Sequence, residues 1–308
     1  MKYDKIVLAG GNGYLGGVLA KHFSPIAAEV IILARKPKRT QGNIVTVVWD
    51  ATTIGDWCKV LENADLLVNL CGKNVNCRYT DKNKQEIIDS RVIPTTLLAE
   101  AIKGLTKAPK LWINTTSATI YRHAEDKPQD EANGDIGYGF SVEVCKAWEK
   151  AFFDTKTPST RKVALRVGLV MGRHDGVFPR LLNLVKFGLG GRQGDGTQYV
   201  SWVHEQDVAL ITEWLTTREE INGILNCTAP EAIKNTELMR LIRNAYGIPW
   251  GLPSPTWLLA IGAKIIGTET ELILKSRWVK PQVLLDQGFQ FQYATATAAV
   301  HDILSINQ

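Results

Sequence analysis

Short apolar runs alternate with longer segments of helical periodicity through the first half of the chain. Six of the runs have the length and the Val, Ile and Leu content of buried strands. They are Lys5–Ala9, Val30–Ala34, Ile44–Trp49, Asp65–Leu70, Leu111–Thr115 and Val163–Val167. Strands that alternate with helices are typical of βαβ units, so the pattern predicts an α/β fold of the Rossmann type with a doubly wound parallel sheet.

Three segments between these runs carry apolar residues at i, i+3 and i+4, which places them on one face of a helix. The segments are Tyr14–Phe23, Lys82–Ala101 and Ser141–Phe153. Pro25 and Pro109 fall just outside two of them, as expected where a helix has ended. We therefore predict a helix over each segment.

The pattern changes after about residue 175. Five glycines within Gly188–Gly196 predict a loop, because glycine makes regular structure costly. Thr236–Tyr246 has helical spacing, and three prolines separate it from a last apolar helix that begins at Trp257.

This change divides the chain into two predicted domains. Residues 1–230 form the larger domain with the parallel sheet, in which residues 170–200 contribute to a cleft. Residues 231–308 form a smaller, mainly helical C-terminal domain beside this cleft.

The strongest motif is the glycine-rich stretch Gly10-Gly11-Asn12-Gly13-Tyr14-Leu15-Gly16. It directly follows the first predicted strand and begins the first predicted helix. In that place glycines permit a tight turn and close approach of the backbone to a pyrophosphate, and the helix N-terminus supplies amide donors. A glycine turn without a ligand is the structural alternative. An ATP-type phosphate loop is disfavoured, because no Gly-Lys-Ser/Thr follows.

The end of the second strand indicates which dinucleotide binds. An NAD-binding protein carries Asp or Glu there, whereas this strand is followed by Arg35 and Lys36, with Lys38 and Arg39 close behind. A guanidinium suits the 2′-phosphate of NADP through charge-assisted hydrogen bonds. We predict NADP(H) as the cofactor. The alternatives are a solvated basic turn and an incidental nucleic-acid patch.

Composition and charge exclude other classes of protein. The 308 residues include 36 Lys and Arg against 31 Asp and Glu, and this excess of +5 is too small for a dedicated nucleic-acid-binding face. Hydrophobic residues make up 45% and charged residues 22%, which excludes a disordered chain. The five cysteines are an odd number without a Cys-x-x-Cys pair, so a reducing compartment is favoured and no metal site is predicted.

Targeting and membrane signals are not recognisable. Met1–Gly11 has no cleavage-site pattern, and the longest later apolar stretch, Trp257–Gly267, is shorter than the ~20 residues of a membrane span. We expect a cytoplasmic protein that acts on an unknown small-molecule substrate, without nucleic-acid or membrane partners. The sequence does not indicate the oligomeric state.

Several motifs together resemble a known family. The glycine loop, Asn114–Tyr121 and Ser201–Asp207 resemble the extended short-chain dehydrogenase/reductases, in the sugar-nucleotide epimerase branch. More narrowly, the chain resembles an atypical group of epimerase-family proteins with a C-terminal domain of unknown function. The stretches that carry this likeness are Trp49-Asp50, Asn69–Gly72, Ser90–Val92, Val144–Glu149, Gly190–Gly194, Ser201–His204 and Gly288–Phe291.

The resemblance implies a set of cofactor-binding positions that runs from the glycine loop to the helix after the fourth strand. The loop would hold the pyrophosphate, the cations the 2′-phosphate, Trp49-Asp50 the adenine, and the segment after the fourth strand would lead to the nicotinamide ribose. For Arg91 the alternative is a surface salt bridge. The set is Gly10, Asn12, Gly13, Tyr14, Leu15, Gly16, Arg35, Lys36, Trp49, Asp50, Leu70, Cys71, Gly72 and Arg91.

The catalytic pattern of the superfamily is incomplete. The resemblance implies that Ser117 binds the reacting oxygen, but Ser141 and Cys145 stand where a Tyr and a Lys four residues later are expected. Tyr121 and Tyr138 are the candidates for the missing proton carrier, and a core position is the alternative for Tyr121.

Cys145 and Lys146 are weaker candidates for chemistry. A thiol nucleophile at Cys145 competes with a buried structural cysteine, and Lys146 with a solvated helix residue.

The glycine loop Gly188–Gly196 is the predicted substrate rim, because sugar-nucleotide relatives hold their second ligand in this neighbourhood and glycines allow closure. The predicted substrate-binding residues are Arg192, Gln193, Tyr199 and His204. The alternatives are a mobile surface loop, and for His204 a hydrogen bond within the fold.

Two functions follow. The first is an NADP(H)-dependent oxidoreductase or epimerase on a small polar, sugar-nucleotide-like substrate. The second is a non-catalytic NADP(H)-binding redox sensor or scaffold.

Overall fold

A computed structural model of the protein describes residues 1–37, 41–259 and 271–305. Its centre is a seven-stranded sheet in which every neighbouring pair of strands is parallel. The strands are β1 (Tyr3–Ala9), β2 (Ala27–Ala34), β3 (Ile44–Val48), β4 (Leu66–Asn69), β5 (Leu111–Ser117), β6 (Arg161–Val167) and β10 (Gly223–Cys227). The six predicted strands and the α/β fold class are confirmed, and β10 is a seventh strand that sequence patterning missed.

The strand order is β3-β2-β1-β4-β5-β6-β10. The chain therefore runs outward from β1 in one direction, returns, and continues from β4 in the other. In such doubly wound sheets a ligand binds in the crevice outside the carboxyl ends of the two strands where the direction reverses. Here those strands are β1 and β4.

The helices lie on the two faces of this sheet and beside it. They are α1 (Tyr14–Phe23), α2 (Asp81–Lys103), α3 (Phe140–Asp154), α4 (Phe178–Lys186), α5 (Glu205–Thr216) and α6 (Asn235–Tyr246), followed by helices at Glu271–Leu274, Gln282–Asp286 and Ala296–Ser305. Short 3₁₀ turns lie at Asp56–Leu61 and Ala118–Ile120. The predicted helices are confirmed to within two residues, and Gly188–Gly196 is a loop. Residues 256–259 are helical, and the remainder of the prediction from Trp257 lies outside the described residues.

Alternate residues of each strand point to opposite faces of the sheet. Both sets of residues are apolar, so both faces of the sheet are apolar. Ile6 and Leu8 pack on α1 and α5, whereas Val7 and Ala9 pack on the side of α2. Within the described residues, no helix combines the length and the apolar content needed to cross a bilayer.

A second apolar core lies beside the sheet. It combines residues of α4 and α6 with the last helix, Ala296–Ser305. Two small sheets border it: β7 (Leu169–Met171) pairs with β9 (Trp202–His204), and β8 (Tyr199–Val200) pairs with β11 (Ile233–Lys234). Leu284 and Phe289 of the C-terminal part pack into the core of the main sheet. The division at residue 230 stays a prediction.

Candidate active site

The crevice between β1 and β4 is narrow at the glycine loop. Gly10 follows β1 with a φ of +73°, and its amide donates to Leu33 O at 2.8 Å. A Cβ at Gly10 would lie 2.9 Å from the Sγ of Cys71, which follows β4. Burial raises the pKa of the Cys71 thiol to about 12, so it stays neutral at pH 7. Gly10 and Cys71 thus form the floor of the crevice.

The start of α1 forms the second part of the loop. A Cβ at Gly16 would lie 2.1 Å from Gly11 O, so this turn admits only glycine. Gly13 precedes α1, and a Cβ there would meet no atom within 4 Å. The helix N-terminus therefore faces open space, as an anion site requires. Asn12 donates from Nδ2 to Lys36 O at 3.0 Å, and Leu15 packs against the sheet core.

Arg35 and Lys36 lie at the carboxyl end of β2, and both are exposed. Among the described residues, neither side chain takes part in an ion pair or a hydrogen bond. Lys38 and Arg39 lie outside the described residues. Two unpaired cations beside the glycine loop fit a phosphate that projects past β2.

Trp49 and Asp50 follow β3 and differ in exposure. Trp49 is buried against Trp57, with ring centroids 4.9 Å apart. Asp50 is exposed and accepts hydrogen bonds from the Oγ1 of Thr53 and from the amides of Thr52 and Thr53, which hold the pKa of its carboxyl below the usual range. Asp50 is therefore the more accessible of the two predicted adenine neighbours.

Arg91 lies over the segment that follows β4. A Cβ at Gly72 would lie 3.0 Å from Arg91 Cζ, and the guanidinium packs 5.0 Å from the centre of the Trp148 ring. Its Nη1 donates to Ile87 O at 2.9 Å. Burial lowers the pKa of Arg91, and within the described ranges it forms no ion pair. Arg91 is therefore a largely buried side chain beside Gly72 rather than part of a surface salt bridge, and its role toward the cofactor stays a prediction.

A buried amide network, which sequence reasoning missed, connects the ends of β4 and β5. Asn69 donates from Nδ2 to Asn114 Oδ1 at 2.7 Å and to Thr95 Oγ1 at 3.0 Å. Its Oδ1 accepts from the amide of Cys71, and its carbonyl accepts from Thr115. Side-chain polarity inside otherwise apolar strands was the available signal. The network fixes the two strand ends that border the site.

Ser117 ends β5, and it is half-buried. Its Oγ accepts a hydrogen bond from the amide of Thr119 at 3.2 Å. Two cations from the C-terminal part of the chain bind the same Thr119: Lys275 Nζ donates to its carbonyl at 2.9 Å, and Arg277 Nε donates to its Oγ1 at 3.0 Å. Sequence reasoning missed both residues, since only the fold brings them to Ser117.

Ser141 and Cys145 stand on α3 at the positions of the missing Tyr and Lys, and Cys145 belongs to the same apolar cluster as Ala118 and Ile120 of the turn after Ser117. Ser141 is buried, and its Oγ has no hydrogen-bond partner within the described part of the chain. Burial raises the pKa of the Cys145 thiol to about 12, so it is not a thiolate nucleophile at pH 7. Lys146 is on the exposed side of α3 and pairs with Glu143 at 3.0 Å. None of these three side chains replaces the Tyr and Lys pair through which the superfamily ordinarily transfers a proton.

The two tyrosine candidates lie in opposite environments. Tyr121 is 1% exposed; its hydroxyl donates to Asn226 Oδ1 at 3.0 Å, and burial raises its pKa. The structure thus places Tyr121 in the core, which corresponds to the alternative considered for it. Tyr138 is 87% exposed on the loop before α3.

The predicted rim residues also differ in exposure to solvent. Arg192 is exposed, whereas Gln193 is buried and exchanges two hydrogen bonds of 2.9 Å with Asn235. Tyr199 stacks on Trp278, with ring centroids 4.2 Å apart, and adjoins Arg277, whose amide donates to Tyr199 O. Arg192 and Tyr199 are therefore the accessible members, and Gln193 holds the loop in place.

His204 is held within the fold. It is 1% exposed and caps α5, since its Nδ1 accepts from the amide of Gln206 at 3.2 Å. Its Nε2 lies 3.3 Å from Asp302 Oδ2, and its ring lies 3.9 Å from that of Tyr293. Burial lowers the pKa of His204 to about 4. Neither here nor in the rest of the described chain are three His, Cys, Asp or Glu side chains grouped as a metal site.

Two family descriptions match the chain. The first, the NAD dependent epimerase/dehydratase family, matches residues 6–227. The chain belongs to this family. The second, a domain of unknown function (DUF1731), matches residues 254–303, a segment that includes Lys275 and Arg277. The resemblance inferred from the sequence motifs is confirmed.

Relatives within the family align along nearly the whole chain. The Epimerase family protein SDR39U1 of Homo sapiens is 29% identical over 307 residues, covering 98% of this chain and 100% of the relative. An epimerase family protein of Mycobacterium leprae is 29% identical over 296 residues, covering 96% and 94%.

Two solved structures of similar proteins share the fold. The crystal structure of human epimerase family protein SDR39U1 (isoform 2) with NADPH has a TM-score of 0.85 and 28% identity, covering 98% of this chain and 99% of that one. A nucleoside-diphosphate sugar epimerase from Corynebacterium glutamicum has a TM-score of 0.75 and 26% identity, covering 98% of this chain and 59% of that one.

Proposed function

We propose that this chain binds NADP(H) in the crevice between β1 and β4 and is an oxidoreductase or epimerase that acts on a small polar molecule. The observation that carries the cofactor choice is the pair of exposed cations Arg35 and Lys36, which have no ion-pair partner among the described residues. They lie at the end of β2, where an NAD-binding protein has a carboxylate. The related human protein crystallised with NADPH supports it.

The residues of the crevice fit a dinucleotide. The open space over Gly13 leaves room for a pyrophosphate at the N-terminus of α1, and Arg91 borders the path beside Gly72. Asp50 adjoins the adenine side. When bound, the dinucleotide supplies or accepts a hydride at its nicotinamide. The side chains that bind and orient the substrate belong to the protein itself.

Ser117 binds the reacting oxygen of the substrate. Because its Oγ accepts a hydrogen bond from the Thr119 amide, its hydroxyl proton is directed elsewhere and is available to a carbonyl or hydroxyl of the substrate. Such a hydrogen bond stabilises negative charge that develops on the oxygen during hydride transfer.

Proton transfer is assigned to Tyr138 or to water. Tyr138 is exposed on the loop that precedes α3, so it can approach a bound substrate when that loop moves. Tyr121 has no part in this proposal, because its hydroxyl is engaged by Asn226 and its pKa is raised by burial.

The substrate class proposed is a sugar-nucleotide-like molecule. The similarity to the Corynebacterium nucleoside-diphosphate sugar epimerase supports it, and Arg192 and Tyr199 offer a cation and an aromatic face at the rim. Five unpaired cysteines support a cytoplasmic location.

A non-catalytic NADP(H) sensor or scaffold is the second candidate. It is favoured by Ser141 and Cys145, which fill the positions of the expected Tyr and Lys with buried, neutral side chains. In that case the fold binds the dinucleotide without transferring a proton.

Fluorescence titration with NADPH and NADH tests the cofactor. We expect NADPH to bind more tightly, and Arg35→Ala to remove about a factor of ten of that preference by deleting a charge-assisted hydrogen bond. Lys150→Ala, at an exposed lysine of α3, is the matched control and leaves both affinities unchanged. Equal binding of NADH by the wild-type protein would refute the cofactor choice.

Absorbance at the nicotinamide band detects oxidoreductase turnover, and chromatography of the sugar-nucleotide products detects epimerisation, which leaves the cofactor unchanged overall; together they separate the enzyme from the sensor. The NADPH complex is incubated with carbonyl compounds, and the NADP⁺ complex with sugar nucleotides. We expect turnover that falls about a hundredfold in Ser117→Ala and is retained in Ser305→Ala, an exposed serine near the C-terminus. Turnover that is unchanged in Ser117→Ala would contradict its role, and NADPH binding without any turnover would favour the sensor.

A further inference from the structure

The C-terminal part of the chain places a charged segment against the Ser117 loop. Lys275 and Arg277 lie about 156 residues from Thr119 in sequence, yet both donate to it, one to its carbonyl and the other to its hydroxyl. Thr119 in turn donates from its amide to the Oγ of Ser117. Two cations are therefore only two hydrogen bonds away from the residue proposed to bind the substrate oxygen.

Among the described residues, Lys275 has no carboxylate as an ion-pair partner, although a half-buried ammonium ordinarily has one. Of its three N–H groups, one is used by Thr119 O, and within the described residues no carboxylate lies within 4.0 Å of its Nζ. The Glu271 carboxylate lies beyond 4.0 Å and favours the charged form of Lys275 only through its negative charge. Burial, followed by repulsion from Arg277, lowers the pKa of Lys275. An anion bound here would offset both costs.

The segment is fixed before any ligand arrives. The Arg277 amide donates to Tyr199 O at 2.8 Å, and Ser201 Oγ donates to Arg277 O at 2.7 Å. Between the two cations, Ser276 Oγ donates to Ala124 O at 2.7 Å. These bonds connect the segment to the predicted substrate rim and to the chain that follows Ser117. The cations are therefore preorganised, which lowers the cost of binding a ligand.

We propose that Lys275, with Arg277 beside it, forms a subsite for an anionic group of the substrate. This proposal rests on the proposed function of the Ser117 site and names a property of its substrate. The substrate carries a carboxylate or a phosphate close to the carbonyl or hydroxyl that Ser117 binds. Lys275 holds that anionic group through its two remaining N–H donors. Arg277 contributes the neighbouring positive charge.

The subsite is separate from the proposed cofactor cations. Arg35 and Lys36 lie at the end of β2, on the other side of β1 from β5, which carries Ser117. A dinucleotide held at the glycine loop already has its phosphates opposite the N-terminus of α1 and these two cations. The Lys275 charge is thus available to a second ligand, and its loss leaves NADPH affinity unchanged.

Calorimetric titration of the NADPH-loaded protein with acetate and with inorganic phosphate, at constant ionic strength, tests the subsite. We expect one of the two anions to saturate a single site, and which one does so distinguishes a carboxylate from a phosphate. Lys275→Gln, whose amide can still donate to Thr119 O, weakens that anion about tenfold. Lys275→Arg retains the charge and most of the affinity. Lys280→Gln is the matched control and has no effect.

NADPH affinity is measured for every variant, together with the melting temperature to confirm folding. Unchanged NADPH binding with weakened anion binding in Lys275→Gln supports the subsite. The proposal is overturned if neither anion saturates the wild-type protein, if Lys275→Gln binds it as wild type does, or if NADPH affinity falls in parallel. If the wild-type protein does not bind NADPH, the proposed function fails, and the same anion titration of the ligand-free chain still decides the subsite.

Discussion

The stability of the fold depends on a buried ion pair between Glu149 and Arg166, which a single substitution can break. Arg166 donates from Nε and Nη2 to the two carboxylate oxygens of Glu149, at 2.8 and 2.7 Å. The two side chains are only 5% and 9% exposed. Thr116 also donates to Glu149, which connects α3 to β5 one residue before Ser117. Burial lowers the pKa of Arg166, but the Glu149 hydrogen bonds outweigh it and raise the pKa overall.

Glu149→Gln keeps the shape of the side chain and removes its charge. The guanidinium of Arg166 then stays buried without a counter-charge, and removing one partner of such a pair costs about 3–5 kcal/mol of the free energy of unfolding. Urea denaturation followed by circular dichroism measures the loss. Because the pair supports the end of β5, we also expect weaker activity at Ser117 in any assay that detects turnover.

Two further variants separate this explanation from a general effect of charge on α3. Glu143→Gln removes an exposed carboxylate of the same helix, paired with Lys146, and costs at most about 1 kcal/mol. The double variant Glu149→Leu/Arg166→Met replaces the pair by apolar groups and recovers most of the stability lost in Glu149→Gln. A decrease of less than about 1 kcal/mol in the free energy of unfolding of Glu149→Gln would refute the reasoning. The buried guanidinium of Arg166 would then need no counter-charge.

Two other predictions concern the capping histidine and the crevice floor. Because His204 has a pKa of about 4 in the fold and about 6.5 when unfolded, the unfolded chain takes up its proton first as the pH falls. The free energy of unfolding therefore decreases between about pH 6.5 and 4, by up to roughly 3 kcal/mol, and His204→Asn flattens this slope in urea titrations. Gly10→Ala abolishes NADPH binding by fluorescence, because its Cβ meets Cys71 at a positive φ; Gly17→Ala, with open space at its Cβ, does not.

The main sheet could be predicted from local sequence patterns, because its strands are buried on both faces and therefore read as continuous apolar runs. β10 escaped prediction, since it begins at Gly223 and carries Asn226 among its apolar residues. The helix α1 was predicted to the residue, from an apolar stripe that follows the glycine motif. Local patterning thus identifies elements whose burial is uniform and misses those that depend on distant neighbours.

The position of the candidate cofactor crevice could likewise be predicted, because the glycine loop is continuous in sequence and lies beside the ends of predicted strands; the roles of its residues stay predictions. The substrate side could not be predicted in this way. His204 and Tyr121 are polar residues in suggestive positions, yet the fold encloses both. Lys275 and Arg277 carry no local signal, since their importance comes from contact with Thr119 far earlier in the chain.

The C-terminal part belongs to the structure of the nucleotide-binding part as well as to the site. Leu284 and Phe289 are buried in the core of the main sheet. Asp207 of α5 is fully buried, and its carboxylate accepts the amides of Gln292 and Tyr293 at 2.8 and 3.0 Å. Without these residues the sheet would expose apolar surface, and Asp207 would lose its hydrogen-bond donors. Burial already raises the pKa of Asp207.

We therefore expect residues 1–227 alone, although they contain the whole epimerase/dehydratase match, not to form a stable NADPH-binding domain. The reason is that the missing chain supplies buried apolar contacts and, among the described residues, the only hydrogen-bond donors to the buried Asp207 carboxylate. Size-exclusion chromatography and NADPH fluorescence measure the outcome. Asp207→Asn in the full chain is the companion variant, since it weakens the same junction without removing the apolar residues. A truncated chain that elutes as a monomer and binds NADPH like the full protein would show that the C-terminal part is an independent addition.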